Sequence, residues 1–194
     1  MSIRITGGLW RGRLLEVPAI SMRPTQDRVR AAVFSSLQAL VPGARVMDLF
    51  AGTGAFGLEA LSRGAAGACF VENSRAALEA LRRNVGLLAG REQAGEAGQI
   101  SIVNADVESF IRDCGDEFRS DLVFADPPYD CGEDWTKKIL FHLARRSILT
   151  KEGCFIIESR SKSPLVEAEG WSAYWVRSYG ETRICMYRLQ SKGT

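Results

Sequence analysis

Between Arg45 and Glu158, five short β-rich runs alternate with four amphipathic helical stretches, and no other pattern in the chain restricts its fold as tightly. Parallel strands need a long crossover, and a helix in each crossover covers the sheet on both faces. The runs predict strands near residues 45–50, 68–72, 100–104, 121–125 and 154–158, with helices near 55–63, 74–88, 107–114 and 134–147. The rhythm then changes. Trp171–Arg177 and Thr182–Leu189 are joined through Tyr179-Gly180-Glu181 with no helix between them, which predicts a terminal antiparallel hairpin.

Ahead of this unit, Arg4 to Val17 holds two short apolar runs around Gly7-Gly8 and Gly12, the pattern of a small β-hairpin. Pro24-Thr25 opens a helix in which Val29, Val33, Leu37 and Leu40 share a face, with Thr25 as N-cap and an end before Pro42-Gly43. The chain therefore divides into a basic β extension, residues 1–24, and a main α/β domain, residues 25–194. Gly90 to Gly98 is glycine-rich and charged and is expected to be a surface loop.

Charge is unevenly placed. The net charge is +2, yet residues 1–30 carry Arg4, Arg11, Arg13, Arg23, Arg28 and Arg30 against Glu16 and Asp27 alone, leaving the remainder at −2. Guanidinium groups fork onto phosphate, so this end of the chain suits a nucleic-acid backbone, with Trp10 as a stacking surface among the arginines. A solvated surface is the alternative. The five cysteines are scattered without Cys-x-x-Cys spacing and His142 is the single histidine, which argues against a disulfide framework, a metal centre or a Ser-His-Asp triad. No run approaches the roughly 20 apolar residues of a membrane helix, and a cytoplasmic protein is expected.

The first predicted strand ends in Asp48-Leu49-Phe50 and runs into Ala51-Gly52-Thr53-Gly54-Ala55-Phe56-Gly57. Glycines here let backbone N–H groups approach a ligand at a helix N-terminus. The same spacing is the dinucleotide fingerprint, with Glu72 placed about 20 residues on to hold ribose hydroxyls. The loop alone therefore suits a nicotinamide cofactor as well as S-adenosylmethionine. Asp48 favours the second, because an anion before the loop repels a pyrophosphate and attracts an ammonium or sulfonium; a carboxylate that only caps the loop is the alternative. Asp106, in Asn104-Ala105-Asp106-Val107, is an acceptor for an adenine amine or a helix N-cap.

After the fourth strand comes Asp126-Pro127-Pro128-Tyr129, at the carboxyl end of the sheet where open α/β proteins place their chemistry. The prolines hold the backbone extended, so the Asp126 carboxylate and the Pro127 carbonyl can face one small site. An amine attached to a nucleobase is a poor nucleophile because its lone pair is delocalised into the ring. Two acceptors on its two N–H groups aim that lone pair, and Tyr129 would stack on the base.

These stretches resemble the RsmD family, the bacterial methyltransferases of guanine N2 in small-subunit ribosomal RNA. The resemblance runs from Arg4-Ile-Thr-Gly-Gly-Leu-Trp-Arg-Gly-Arg13 through Arg23-Pro-Thr-Gln-Asp-Arg-Val-Arg30, Asp48 to Arg63 and Asp126 to Tyr129, and ends in Tyr179-Gly-Glu-Thr-Arg183. It implies a Rossmann-like class I methyltransferase with a seven-stranded, mostly parallel sheet. It further implies S-adenosylmethionine as donor and 16S rRNA as partner, in an assembled or nearly assembled small subunit. Position by position, Asp48, Phe50, Gly52, Gly54, Glu72, Asp106 and Asp126 would line the donor site. Asp126, Pro127 and Tyr129 would hold the guanine, while Arg4, Trp10, Arg11, Arg13 and Arg28 would meet RNA. Thr25 and Arg28 either contact or close over the donor, or form a helix cap with a surface arginine. At Glu72-Asn73-Ser74 the second acid that family members often carry is missing. No metal and no membrane are implied, and a monomer is expected. An adenine-N6 methyltransferase and a silent RNA-binding assembly factor on the same fold are the competing readings.

Overall fold

The computed structural model describes residues 3–18, 27–89, 99–128 and 135–190. Two short antiparallel strands, β1 (Ile3–Arg4) and β2 (Leu14–Leu15), form a sheet of their own. Helix α1 (Asp27–Ser36) follows, then β3 (Arg45–Leu49), α2 (Ala55–Ser62), β4 (Gly67–Glu72) and α3 (Arg75–Ala89). Next come β5 (Gln99–Asn104), α4 (Val107–Asp113), β6 (Ser120–Ala125), α5 (Trp135–Arg146), β7 (Leu149–Arg160), β8 (Trp171–Tyr179) and β9 (Thr182–Leu189).

The main sheet has seven strands in the order β5-β4-β3-β6-β7-β9-β8. β5 to β7 are parallel, and β9 joins β7 and β8 antiparallel. The order reverses at β3, and the crevice where crossovers leave in opposite directions opens at the carboxyl end of β3. This is the Rossmann-like methyltransferase architecture implied by the sequence, with its C-terminal antiparallel hairpin.

Strand alternation sorts the core into two layers. Val46, Phe70, Phe124, Ile156 and Ile184 face α1, α2 and α3, whereas Met47, Val71, Val123, Phe155 and Tyr187 face α4 and α5. Period-2 strands between two helical layers leave no polar sheet face, which is why the strand runs read as continuously apolar. Phe34, Phe56 and Phe124 meet at centroid distances of 5.2–6.2 Å and lock α1 and α2 onto β6.

Two elements differ from the sequence reading. α1 stops at Ser36, and Leu37 and Val41 are buried from a following run of turns instead. β7 starts five residues before the predicted position 154, through Leu149-Thr-Lys-Glu-Gly153. That half carries polar side chains and a glycine, so it lacks the apolar signal. It is held instead by a shifted register against β6 and by Thr150 Oγ1 donating to Asp121 Oδ1 at 2.9 Å. The expected N-cap Thr25, the 24/25 boundary and the Gly90–Gly98 loop lie outside the described residues.

The extension packs on the α2 side of the core through Ile3, Ile5, Trp10 and Leu15. Glu59, fully buried on α2, accepts from Thr6 N at 2.7 Å and Thr6 Oγ1 at 2.8 Å, and pairs with Arg63 at 2.7 Å and Arg30 at 3.5 Å. Arg30 is itself fully buried and also meets Asp27 at 2.8 Å and the Arg4 carbonyl. Trp10 N donates to Ser62 Oγ at 2.9 Å, and Ser62 Oγ donates to the Gly7 carbonyl at 2.6 Å. The approach is so close that a Cβ on Gly8, at φ 75°, would stand 1.7 Å from the Ser62 carbonyl oxygen; only glycine fits there.

Candidate active site

The site is built on the carboxyl ends of four neighbouring parallel strands. The register pairs Asn104 with Glu72, Val71 with Leu49, and Leu49 with Ala125. Parallel strands lie about 4.8 Å apart, so Asp106, Glu72, the loop after Leu49 and Asp126 follow one another along a single edge.

The loop after β3 is held from three sides. Gly57 N donates to Asp48 Oδ2 at 2.9 Å, Gly52 N donates to Glu72 Oε2 at 2.8 Å, and Asn84 Nδ2 donates to the Thr53 carbonyl at 3.0 Å. Gly54 takes φ 82° at the N-cap of α2, where a Cβ would come within 2.5 Å of Leu81 Cδ1. Phe50 also adopts a left-handed conformation, φ 57°, which for a residue with a side chain stores strain of order 1–3 kcal/mol. Its ring meets Trp135 edge-on at 4.8 Å. The Trp135 Nε1–H is buried beside that pair and has no acceptor among the described residues.

Asp48 is 3% exposed. Burial pushes its carboxyl up to about 8, against the Gly57 N–H, which lowers it, and with Glu72 adding a further push upward. The capping role of this residue is realised through Gly57, and among the described residues no cation stands against the buried acid. Glu72, 8% exposed, also accepts from Asn73 N at 3.0 Å and Ser74 N at 2.8 Å. Asp106 caps α4, accepting from Ser109 N at 2.9 Å through Oδ1, so its capping role is realised.

Asp126 follows Ala125 directly and is half-buried; Pro127 is buried and Pro128 exposed. Tyr129 lies outside the described residues. Of the residues expected to meet RNA, Arg4, Arg11, Arg13 and Arg28 are exposed. Trp10 is a correction: it is 5% exposed and packs in the core. Its position among arginines suggested a stacking surface, but the glycines before it let the hairpin settle onto α2 and cover the indole.

Sequence reasoning passed over Glu59, Asn84, Trp135 and Glu158. Glu59 had a signal, as the lone charge in the apolar stretch Ala55–Ser62, and Asn84 had one as the polar residue on the buried face of α3. Glu158, 6% exposed, ends an apolar run just as Glu72 and Asp126 do. For Trp135 there was none.

The sequence model of the family described as Conserved hypothetical protein 95 matches residues 3–188. Ribosomal RNA small subunit methyltransferase D of Escherichia coli K12 is 37% identical over 194 residues, spanning 98% of this chain and 92% of that protein. The chain belongs to the RsmD family. A second RsmD relative, from Haemophilus influenzae, is 30% identical over 188 residues, with 96% of this chain and 92% of that one covered. Among solved structures, yhhF from Escherichia coli matches with a TM-score of 0.82 at 35% identity, covering 99% of this chain and 100% of that chain. The small N-terminal sheet, not only the Rossmann-like unit, is therefore inside the RsmD likeness.

Proposed function

We propose that the protein transfers the methyl group of S-adenosylmethionine to the 2-amino group of a guanine in 16S rRNA. The observation that carries this reading is the abutment of Asp126-Pro127 on the glycine loop, one residue beyond the Leu49–Ala125 pair. Its substrate class rests on the relatives named as small-subunit rRNA methyltransferases.

The donor fits the residues present. A buried carboxylate at the start of the loop and a second at Glu72 suit a cationic, ribose-bearing ligand and oppose a pyrophosphate. Asp48 faces its positive charge, the loop from Phe50 to Gly54 carries its body, Glu72 its ribose and Asp106 its adenine amine. Bound there, S-adenosylmethionine supplies an electrophilic methyl group on a sulfonium.

Asp126 and the Pro127 carbonyl accept the two N–H groups of the guanine amine and turn its lone pair out of conjugation. Tyr129 stacks on the extruded base. Asp126, or water beside it, takes the proton released from the amine. Arg4, Arg11, Arg13 and Arg28 contact RNA phosphates, and the substrate is an assembled or nearly assembled small subunit met in the cytoplasm by a monomeric enzyme.

The test is incubation with methyl-labelled S-adenosylmethionine and small subunits from cells lacking the modification, followed by nucleoside analysis and mapping. N2-methylguanosine at one position is expected; N6-methyladenosine would transfer the reading to the adenine enzymes, and no incorporation into RNA would remove it. Asp126→Ala should abolish turnover while donor affinity stays within about twofold. Equal loss of both would undo the division between donor and acceptor sites.

A further inference from the structure

Glu158 belongs to β7, the strand beside β6, and the two run parallel with Phe124 opposite Ile156 and Ala125 opposite Ile157. One residue further on, Asp126 and Glu158 stand at the same level of the carboxyl edge, on strands about 4.8 Å apart. Phe124 and Ile156 point toward the α1–α2 layer, and Ala125 and Ile157 point away from it. Alternation returns Glu158 to the α1–α2 side, where its antiparallel partner Ile184 also lies. Asp48 lies on that side too, since its register partner is Phe124.

Glu158 is 6% exposed, an unusual place for an acid at the open end of a sheet. The turn between β8 and β9 holds it there. Thr182 Oγ1 donates to Glu158 Oε1 at 3.3 Å, Ser161 N donates to the Glu181 carbonyl at 2.7 Å, and the Arg183 guanidinium donates to the Ser161 carbonyl. The Tyr179-Gly-Glu-Thr-Arg183 stretch, which no step above uses, thus fixes the far end of β7 and this carboxylate with it.

Resting on the reading that a guanine amine is the acceptor, we propose that Glu158 accepts the N1–H of the target base and is the residue that selects guanine over adenine. Guanine presents two adjacent kinds of donor on its Watson–Crick edge, N1–H and the 2-amino group, whereas adenine presents an amine beside an N1 acceptor. Two carboxylates side by side match two donors. The same pair would set Glu158 against the N1 lone pair of adenine, lone pair against lone pair, and reject it. A carboxylate offers about four lone-pair directions, and the bond from Thr182 takes one of them.

The discriminating substrate is 2-aminopurine, which keeps the 2-amino group and carries an N1 acceptor in place of N1–H. Small subunits are reconstituted with 16S rRNA bearing guanine or 2-aminopurine at the mapped position, and kcat/KM is measured for wild type and Glu158→Gln. A site that hydrogen-bonds a donor strongly rejects an analogue lacking it, so wild type should prefer guanine by at least about a hundredfold. Gln can accept from N1–H through its oxygen or donate to an N1 acceptor through its amide. Glu158→Gln should therefore lose on guanine, hold or gain on 2-aminopurine, and bring the ratio within about tenfold.

Equal use of both bases by wild type would overturn the proposal without need of any variant. So would a Glu158→Gln enzyme of unchanged melting temperature that falls equally on both substrates. Failure of the underlying reading looks different: wild type would then leave the guanine substrate without N2-methylguanosine.

Discussion

The amide of Gly57 donates to the carboxylate of Asp48 across 2.9 Å, closing the glycine loop over an acid that burial has pushed up to about 8. One residue thereby connects loop conformation, ligand charge and proton binding.

The sign of its pH dependence follows from linkage. Free Asp releases its proton near 3.8, while folded Asp48 keeps it up to about 8. The folded state therefore binds more protons in between, and stability falls as pH rises through that window. Asp48→Asn, which can still accept from Gly57, removes the fall. Urea unfolding of the ligand-free proteins at pH 5 and pH 8 should show the variant losing less stability than wild type, by a margin on the order of a few kcal/mol. Parallel losses would remove Asp48 as the titrating group.

Donor binding should carry the opposite sign. A cation beside Asp48 favours the ionised form, so S-adenosylmethionine affinity rises with pH up to about 8 and binding at pH 7 releases a proton. Calorimetry in buffers of different ionisation enthalpy reads this release directly, and the Asp48→Asn protein should show none. A wild-type binding heat independent of buffer would count against a cation at this position.

Gly54→Ala places a methyl group at φ 82° and 2.5 Å from Leu81 Cδ1. Left-handed backbone alone costs roughly 1–2 kcal/mol for a residue with a Cβ, and the contact adds to it. The expected result is a melting temperature lower by several degrees together with weakened donor affinity. Normal affinity in a destabilised variant would mean that the loop tolerates a shift of α2.

Glu59→Gln should be among the most damaging polar substitutions. It removes the charge that Arg30 and Arg63 share in the buried network and leaves Arg30 to Asp27 and the Arg4 carbonyl, a loss of a few kcal/mol, below the roughly 3–5 kcal/mol of a wholly unpaired buried charge. Arg75→Ala, which breaks the exposed pair with Glu79, should leave the unfolding midpoint unchanged. Similar midpoints for the two variants would contradict the buried network.

Replacing exposed Arg11 and Arg13 by Ala should weaken RNA binding and reduce the salt slope by about one for each lost phosphate contact. Trp10→Phe should act on stability instead, because the indole is covered. An unchanged slope in the arginine variants would detach the extension from RNA.

The sequence was legible where one signal had one structural outcome. Continuous apolar runs separated by helical periodicity gave the strand positions, and the glycines after Leu49 gave the loop, because both patterns follow from burial on two faces and from φ values that a Cβ forbids. It misled where a local pattern had two outcomes decided by distant contacts. Trp10 lies among arginines but is covered by α2, and the first half of β7 reads as polar yet pairs with β6. Asp106 and Asp48 cap the elements that follow them while also standing at the site. The partners of Glu59, 53 residues from Thr6 along the chain, and of Glu158 arise only once strands are in register.

Asn84 gives the extension a further property. Its amide accepts from Glu16 N at 2.7 Å and donates to the Glu16 carbonyl and the Thr53 carbonyl, each at 3.0 Å, so a single side chain ties the residue that follows β2 to the glycine loop. Thr6 and Trp10 are bonded to the helix that springs from that same loop, so hairpin and loop are tied from both ends. Whatever the exposed face of the hairpin meets is consequently held at a set distance from the glycine loop.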